Sequence, residues 1–171
     1  MAEIRDIAPG LWIWRLEHPD YRSQSDWDGV ITCTCVESGG EVAVFDRFAR
    51  RYGAPGYGPA LFFPGDAPET EVKWIRRGDE LPGGLRALHD GRGEAETPLW
   101  LPEQRALVFA DALTAPEGEL RVWATPEHER WTLPALRAML ELPFEHLIVS
   151  HGEPVHDRAE FERALELPTW S

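Results

Sequence analysis

The sequence predicts an α/β (α+β) fold in which a mixed sheet is covered by helices. Apolar segments of strand length, separated by tight turns, fill much of the first two thirds of the chain. A helix, a strand and a second helix follow near the end, an order that is typical of such a mixed sheet. No internal repeat or linker divides residues 1–171, so we expect a single domain. A chain of this length can bury roughly 70% of its unfolded surface without a metal or a disulfide.

The first strands are predicted from short apolar or β-branched segments. "GLWIWRLE" alternates apolar and polar residues, "GVITCTCVES" is β-branched, and "EVAVFD" is an apolar run that ends at Asp46. The glycines of "SGGE" predict a hairpin between the last two segments. A short helical piece is expected over residues 47–52, and the many Gly and Pro residues of "GAPGYGPALFFPGDAP" argue against a regular helix after it. "EVKWIRRGDELPGGLRALHD" predicts two further short strands around a turn.

The second half of the chain contains the clearest elements. "PLWLPEQRALVFADAL" predicts two strands joined by a tight turn, with Asp111 following the second strand. "TPEHERWTLPALRAMLELP" predicts a helix with Thr125 as N-cap, although Pro134 indicates that the regular helix begins near that residue. "HLIVS" predicts the last strand and "HDRAEFERALE" a terminal helix.

Three predicted strands end in polar residues that could meet at one rim of the sheet. These residues are Asp46, Asp111 and His151. Side chains at strand ends are positioned by a rigid sheet while the adjoining loops stay open to a ligand, so such rims often carry functional groups. Ser150 precedes His151, but neighbours on a strand point to opposite faces, which argues against a serine–histidine catalytic pair.

The charge of the chain argues against two classes of partner. The net charge is −13, from 30 acidic and 17 basic side chains. A field of this sign repels phosphate backbones and anionic membrane surfaces, so we expect no nucleic-acid partner and no membrane association. The amino-terminal "MAEIRDIAPG" lacks the basic and apolar regions of a signal peptide, which predicts a cytoplasmic protein. Cys33 and Cys35 lie on the same face of one predicted strand, and we interpret them as structural thiols in a sheet.

Four of these segments resemble the metallo-β-lactamase superfamily, a hydrolase fold that includes glyoxalase II-like thioesterases. "IAPGLWIWRL" resembles its first strand and "EVAVFD" its element of a strand followed by aspartate. "PLWLPEQRALVFADAL" is similar to the hairpin whose tip aspartate binds or bridges the metals, and "HLIVSHGEPV" to the late strand that carries a ligand histidine before glycine. The resemblance covers most of the chain in order. It implies an αββα sandwich with a metal site at one edge of two packed sheets.

The resemblance also implies a set of metal ligands. Asp111 would be the bridging aspartate, His151 the late histidine, and Asp46 would lie just behind them. In enzymes of this superfamily the metals, usually zinc or iron, lower the pKa of a bound water. The resulting hydroxide attacks an ester, thioester, lactam or phosphodiester.

The chain departs from the superfamily at its main metal motif. His-x-His-x-Asp-His is absent, and only "RFARRY" lies where that strand and loop belong, which predicts a sandwich truncated by about one strand-helix unit. Arg92 lies close to the position of another ligand histidine, and His89, three residues earlier, could substitute for it. A guanidinium at this position would repel a divalent cation and could pair with Asp111 instead.

Two hypotheses follow from the ligand count. The first is a divergent protein with a degenerate metal site, which holds no metal and acts as a non-catalytic binding or interaction domain, with a small molecule as one expected ligand. The alternative is a metal-dependent hydrolase with one zinc or iron ion held by Asp111, His151 and a third ligand, for which Asp46 and His89 are the weaker candidates. A missing strand-helix unit would leave a sheet edge or an apolar face uncovered, so we also expect a homodimer.

Overall fold

A computed structural model describes residues 3–17, 21–22, 29–45, 55–58, 72–92, 96–115 and 117–170 of the chain. The strands in these ranges are β1 (Ile4–Ala8), β2 (Leu11–Glu17), β3 (Val30–Ser38), β4 (Glu41–Phe45), β5 (Gly56–Gly58), β6 (Val72–Trp74), β7 (Arg86–Ala87), β8 (Leu99–Leu101), β9 (Ala106–Val108), β10 (Leu113–Thr114), β11 (Arg121–Val122) and β12 (His146–Ile148). The α-helices are α1 (Leu133–Ala138) and α2 (Arg158–Ala164). The predicted mixture of strands first and helices late is therefore confirmed.

The first sheet is antiparallel and has the strand order β1-β2-β3-β4. The pairing of β3 with β4 places Ser38 opposite Glu41 around the two glycines between them. Gly39 and Gly40 both have positive φ angles, of 56° and 79°. The hairpin that "SGGE" predicted is thus present, and the turn is made by residues that tolerate this backbone conformation.

The second sheet has the strand order β12-β9-β8-β7 and mixes both strand directions. β8 and β9 form the predicted antiparallel hairpin, with Leu99 opposite Val108. β12 runs parallel to β9, with Ile148 also opposite Val108. Because β9 and β12 point the same way, the residues that follow them leave the sheet at the same edge. Two small sheets, β5-β6 and β10-β11, complete the described strands.

Strand β8 of the second sheet is buried on both faces. Along β8, Leu99 and Leu101 belong to an apolar core shared with the first sheet, whereas Trp100 belongs to a core shared with the helices. The core between the two sheets also holds Leu11, Ile13 and Val36 from β2 and β3. The core between the second sheet and the helices holds Leu136 of α1 and Phe161 of α2, both with fully buried side chains. The described elements therefore form three layers, in the order sheet, sheet and helices.

The region predicted as one long helix is built from three pieces. A π-helical turn at His128–Thr132 leads into α1, and a 3₁₀ turn at Met139–Glu141 follows it. α1 begins at Leu133 with Pro134 in its first turn, as predicted, because an amide hydrogen is dispensable there. The prediction of Thr125 as N-cap is wrong. Its hydroxyl instead lies 3.1 Å from the hydroxyl of Thr132 and fastens the turn before the helix.

Several predictions fall outside the described residues. They concern Asp46, the helical piece expected over residues 47–52, and most of the segment expected to lack a strand-helix unit. Cys33 on β3 is buried and Cys35 is partly buried, and no disulfide joins them, in agreement with a structural role. In the described ranges no helix is both long and apolar enough to cross a membrane.

Candidate functional site

Asp111 and His151 lie together at one edge of the second sheet. Asp111 follows β9 by three residues and His151 follows β12 by three residues. The backbone pairing continues beyond the strands, because the amide of Phe109 donates to the carbonyl of Ile148 at 2.8 Å. As a result, His151 Nε2 lies 3.8 Å from Asp111 Oδ1. The His151 side chain is 14% exposed and that of Asp111 is 47% exposed, so the aspartate is the more accessible of the two.

Backbone contacts from both layers hold the His151 turn in place. The amide of Thr32 on β3 donates to the carbonyl of Ser150 at 2.8 Å, and the Thr32 hydroxyl donates to the carbonyl of Gly152 at 3.2 Å. On the other side, the amide of Ala115 donates to the carbonyl of His151 at 2.7 Å. The imidazole is therefore presented by a turn that is hydrogen-bonded to the first sheet and to the segment after Asp111.

Glu96 is the residue that organises the turn around Asp111. Its side chain is 9% exposed, and its Oε2 lies 2.9 Å from a guanidinium nitrogen of Arg92. The same carboxylate accepts the backbone amides on both sides of Asp111. Oε1 accepts from Ala110 at 3.0 Å, and Oε2 accepts from Ala112 at 2.9 Å. The position of Asp111 therefore depends on a buried carboxylate that does not itself contact His151.

Burial raises the pKa of the Glu96 carboxyl group. The pKa of Glu96 is raised from 4.5 to about 7, mainly by desolvation; the nearby charge of Asp90 also raises it, and the Arg92 guanidinium lowers it. Asp90 is completely buried, and its Oδ1 accepts the backbone amide of Arg92 at 2.8 Å. Burial also raises the pKa of Asp90. Glu96 therefore binds the Arg92 guanidinium, and Asp90 binds the backbone of Arg92 and lies near the same positive charge.

We expect the free energy of unfolding to fall as the pH rises from about 4.5 to above 7. The pKa of Glu96 is higher in the folded chain, so the unfolded chain loses its proton first and is favoured across this window. Complete titration of Glu96 would cost about 3 kcal/mol, and Asp90 acts in the same direction. Urea unfolding of the parent and of Glu96→Gln at pH 5, 6, 7 and 8 would measure this effect.

The glutamine variant isolates the contribution of Glu96 from that of other titrating groups. Desolvation lowers the pKa of His146, and its protonation opposes the Glu96 effect in both proteins. The difference between parent and variant should therefore change steadily with pH, in favour of Glu96→Gln at high pH. A difference that stays constant from pH 5 to pH 8 would contradict the assignment.

The fold of this chain is shared with known structures. No protein-family model and no curated protein sequence matches the chain. A metallo-β-lactamase from Pontibacter korlensis is 13% identical, with 98% of each chain covered and a TM-score of 0.62. The metallo-β-lactamase FIM-1 from Pseudomonas aeruginosa, in its mono-zinc form, is 15% identical over 97% of this chain and 94% of its own, with a TM-score of 0.65. This chain has the metallo-β-lactamase fold.

A third structure supports the same assignment. A metallo-β-lactamase family protein from Thermus thermophilus is 14% identical over 94% of this chain and 78% of its own, with a TM-score of 0.66. The resemblance stated from the sequence is therefore confirmed at the level of the fold. Identities this low carry no activity or substrate from these proteins to this chain.

In the part of the chain that the structure describes, Asp111 and His151 are the candidate metal ligands that lie together at this edge of the sheet. A catalytic zinc ion needs three protein ligands and a water. Among the described residues, no three His, Cys, Asp or Glu side chains converge in a way that could hold an ion. Asp111 and His151 make a pair, and the nearby Glu96 carboxylate is already bound to Arg92 and to two amides. The described residues thus do not fit a zinc site.

Two further residues, Asp46 and His89, were predicted as weaker metal ligands. Asp46 lies outside the described residues. His89 lines a pocket with Glu96 and Thr97, and it does not join Asp111 and His151 in a three-ligand cluster. The predicted pairing of Arg92 with Asp111 is wrong, because Arg92 binds Glu96 instead. Whether Asp111, His151, Asp46 or His89 binds a metal stays a prediction.

Glu96 and Asp90 are the site residues that sequence reasoning missed. Arg92 and Glu96 are four positions apart, a spacing that would suggest an ion pair only on a helix. Gly91 and Gly93 flank Arg92, and glycine is unfavourable in a helix. The contact with the amides of Ala110 and Ala112 spans 14 and 16 positions and has no local signature.

Proposed function

We propose that this chain is a non-catalytic binding domain with the metallo-β-lactamase fold, in which an ion pair has replaced part of the metal centre. The supporting observation is the buried carboxylate of Glu96, which binds Arg92 and the two amides that flank Asp111. These contacts hold the Asp111 turn without a cation. A guanidinium keeps its positive charge at any ordinary pH, so a divalent ion next to it would be repelled.

The energetic argument favours the ion pair as a structural replacement. A buried carboxylate without a partner costs several kcal/mol, and Arg92 and two amides supply partners for Glu96. In a metal site the cation would provide that compensation. The chain therefore carries its own positive charge where the resemblance implies a ligand histidine.

A second candidate function is a hydrolase with a single metal ion. It is favoured by the 3.8 Å separation of His151 Nε2 and Asp111 Oδ1, because two ligands of a tetrahedral zinc ion lie about 3.4 Å apart. A small movement of the exposed Asp111 side chain would bring both atoms to one ion. A third ligand would have to come from a residue that does not join this pair in the described structure, such as His89, or from Asp46.

Metal analysis separates the two candidates. We expect purified protein to contain well under one equivalent of zinc and iron, measured by inductively coupled plasma mass spectrometry. We also expect its melting temperature to change by less than about 1 °C on addition of zinc or EDTA. A metal that binds only the folded state would raise the melting temperature, and its removal by EDTA would lower it. One equivalent of metal that is lost in both Asp111→Asn and His151→Gln would overturn the proposal and support the hydrolase.

An exposed histidine pair requires a matched control. His146 Nδ1 and His156 Nδ1 lie 2.9 Å apart on the surface, and two imidazoles can bind zinc weakly. Zinc uptake that His156→Gln abolishes, and that Asp111→Asn leaves unchanged, would belong to this pair and would leave the proposal intact. The assay should therefore include all three variants at the same zinc concentrations.

A further inference from the structure

A pocket of about 290 Å³ opens beside Glu96. Its volume is close to the lower end of the range for small-molecule sites, about 300–1,000 Å³. The apolar part of its wall is formed by Ile75, which is buried, and by Leu88, which is half-buried. The polar part is formed by two arginines, a histidine, a threonine and Glu96. The pocket therefore combines an apolar surface with several charged groups.

The charges that line this pocket are mainly positive, in contrast to the chain as a whole. Arg76 and Arg77 are exposed and line the pocket together. Among the residues that the structure describes, neither guanidinium takes part in an ion pair. Glu96 is the only acid among the described residues of the lining, and Arg92 offsets its charge at 2.9 Å. On a protein of net charge −13, the described lining of the pocket thus carries two arginines against one acid.

Arg76 and Arg77 lie at a turn that is hydrogen-bonded to β7. The amide of Gly78 donates to the carbonyl of Ala87 at 2.8 Å, and the amide of Ala87 donates to the carbonyl of Asp79 at 2.9 Å. The amide of Arg76 donates to the carboxylate of Asp79 at 2.7 Å, so the nearest acid binds the backbone of the turn. The backbone of Arg76 and Arg77 is therefore held at a fixed distance from the opposite wall.

The two segments that form the opposite wall of the pocket are also joined by a backbone hydrogen bond. The amide of Leu88 donates to the carbonyl of Pro98 at 2.8 Å, which joins the segment that carries His89 to the segment that carries Glu96 and Thr97. The same two segments are also joined by the ion pair between Arg92 and Glu96. A ligand would therefore meet a preformed pocket, and binding would cost little ordering of the backbone.

We propose that this pocket binds a small organic anion, a carboxylate or a phosphate ester, between Arg76 and Arg77, with the apolar body of the ligand on Ile75 and Leu88. This inference rests on the proposed binding function and names the ligand class. Guanidinium groups bind carboxylates and phosphates through paired, charge-assisted hydrogen bonds. The Thr97 hydroxyl and the His89 imidazole supply further polar contacts at the wall.

Ligands with the same apolar chain and different charge test the proposal. Hexanoate, hexyl phosphate and hexylammonium would be titrated into ¹⁵N-labelled protein at low ionic strength in buffer with EDTA, and amide chemical shifts would be followed. We expect either anion to bind with a Kd in the millimolar range, to shift amides of residues 75–77, 88–89 and 96–97, and to weaken in 0.5 M NaCl. Hexylammonium should not shift these amides.

The variant that tests the charge is Arg76→Gln/Arg77→Gln. We expect its Kd for the tighter anion to rise about tenfold, since two charge-assisted contacts are lost. Arg86→Gln is the matched control, because Arg86 is exposed on β7 and does not line the pocket. Its Kd should change less than twofold. Equal binding of hexanoate and hexylammonium, or an unchanged Kd in the double variant, would overturn the inference.

The result is independent of the metal analysis. EDTA removes metal from every titration, so loss of anion selectivity would contradict the pocket assignment alone. Conversely, one bound equivalent of zinc would contradict the proposed function without changing the anion affinities.

Discussion

Glu96→Ala is expected to lower the free energy of unfolding by about 3–5 kcal/mol at pH 8. The variant leaves the Arg92 guanidinium, whose side chain is only 17% exposed, without its carboxylate. It also removes the acceptor for the amides of Ala110 and Ala112. Removal of one partner from a buried ion pair costs more than removal of both, because the remaining charge stays desolvated. Urea unfolding followed by tryptophan fluorescence would measure the change.

Two further variants show whether the buried charge is the cause. Glu96→Gln also removes the carboxylate from Arg92, but it retains the shape of the side chain and an acceptor oxygen, so we expect it to be less destabilised than Glu96→Ala at pH 8. Glu96→Ala/Arg92→Met removes both charges, and we expect it to recover at least about 1 kcal/mol relative to Glu96→Ala. If the double variant were less stable than Glu96→Ala, Arg92 would not be the group left unpaired.

Gly91→Ala is expected to lower the free energy of unfolding by at least about 3 kcal/mol. Gly91 has a φ angle of 81°, which L side chains rarely adopt. A Cβ at this position would lie 2.2 Å from the carbonyl oxygen of Trp131 and 2.7 Å from Cα of Thr132. These are backbone atoms of the turn that precedes α1, so relief of the clash would require the loop and the turn to separate.

Gly118→Ala is the matched control for Gly91→Ala. Gly118 has a φ angle of 85°, and a Cβ there would have no atom within 4 Å. Its substitution therefore adds the backbone strain without the clash, at a cost of about 1–2 kcal/mol. We expect the difference between the two variants in urea unfolding to exceed about 1 kcal/mol. Equal losses of stability would show that the contact with Trp131 contributes nothing.

The strand ends of the site could be predicted from the sequence because their signals are local. The apolar runs before Asp111 and His151 stop abruptly, and the resemblance orders them in one fold. Parallel pairing of β9 with β12 then places both residues at one edge. Their juxtaposition follows from strand direction and length alone.

The inner part of the site could not be predicted because its contacts are formed by tertiary packing. Nothing near Glu96 in the sequence shows that its carboxylate accepts amides beyond a hairpin. The partner of Arg92 was mispredicted for the same reason. Thr125 satisfies the sequence rule for an N-cap, but the hydroxyl of Thr132 competes for it and the helix starts later. In each case a contact distant in sequence overrides the local preference.

The link between Thr32 and the His151 turn has a consequence for how the rim forms during folding. The hydrogen bond from the Thr32 hydroxyl to Gly152 joins residues 120 positions apart. Closure of a loop this long is entropically costly before the intervening layers exist. We therefore expect the rim to assemble in the last kinetic step, after the hairpins of both sheets, so that a nascent chain would complete this rim only when its carboxyl-terminal third has been synthesised.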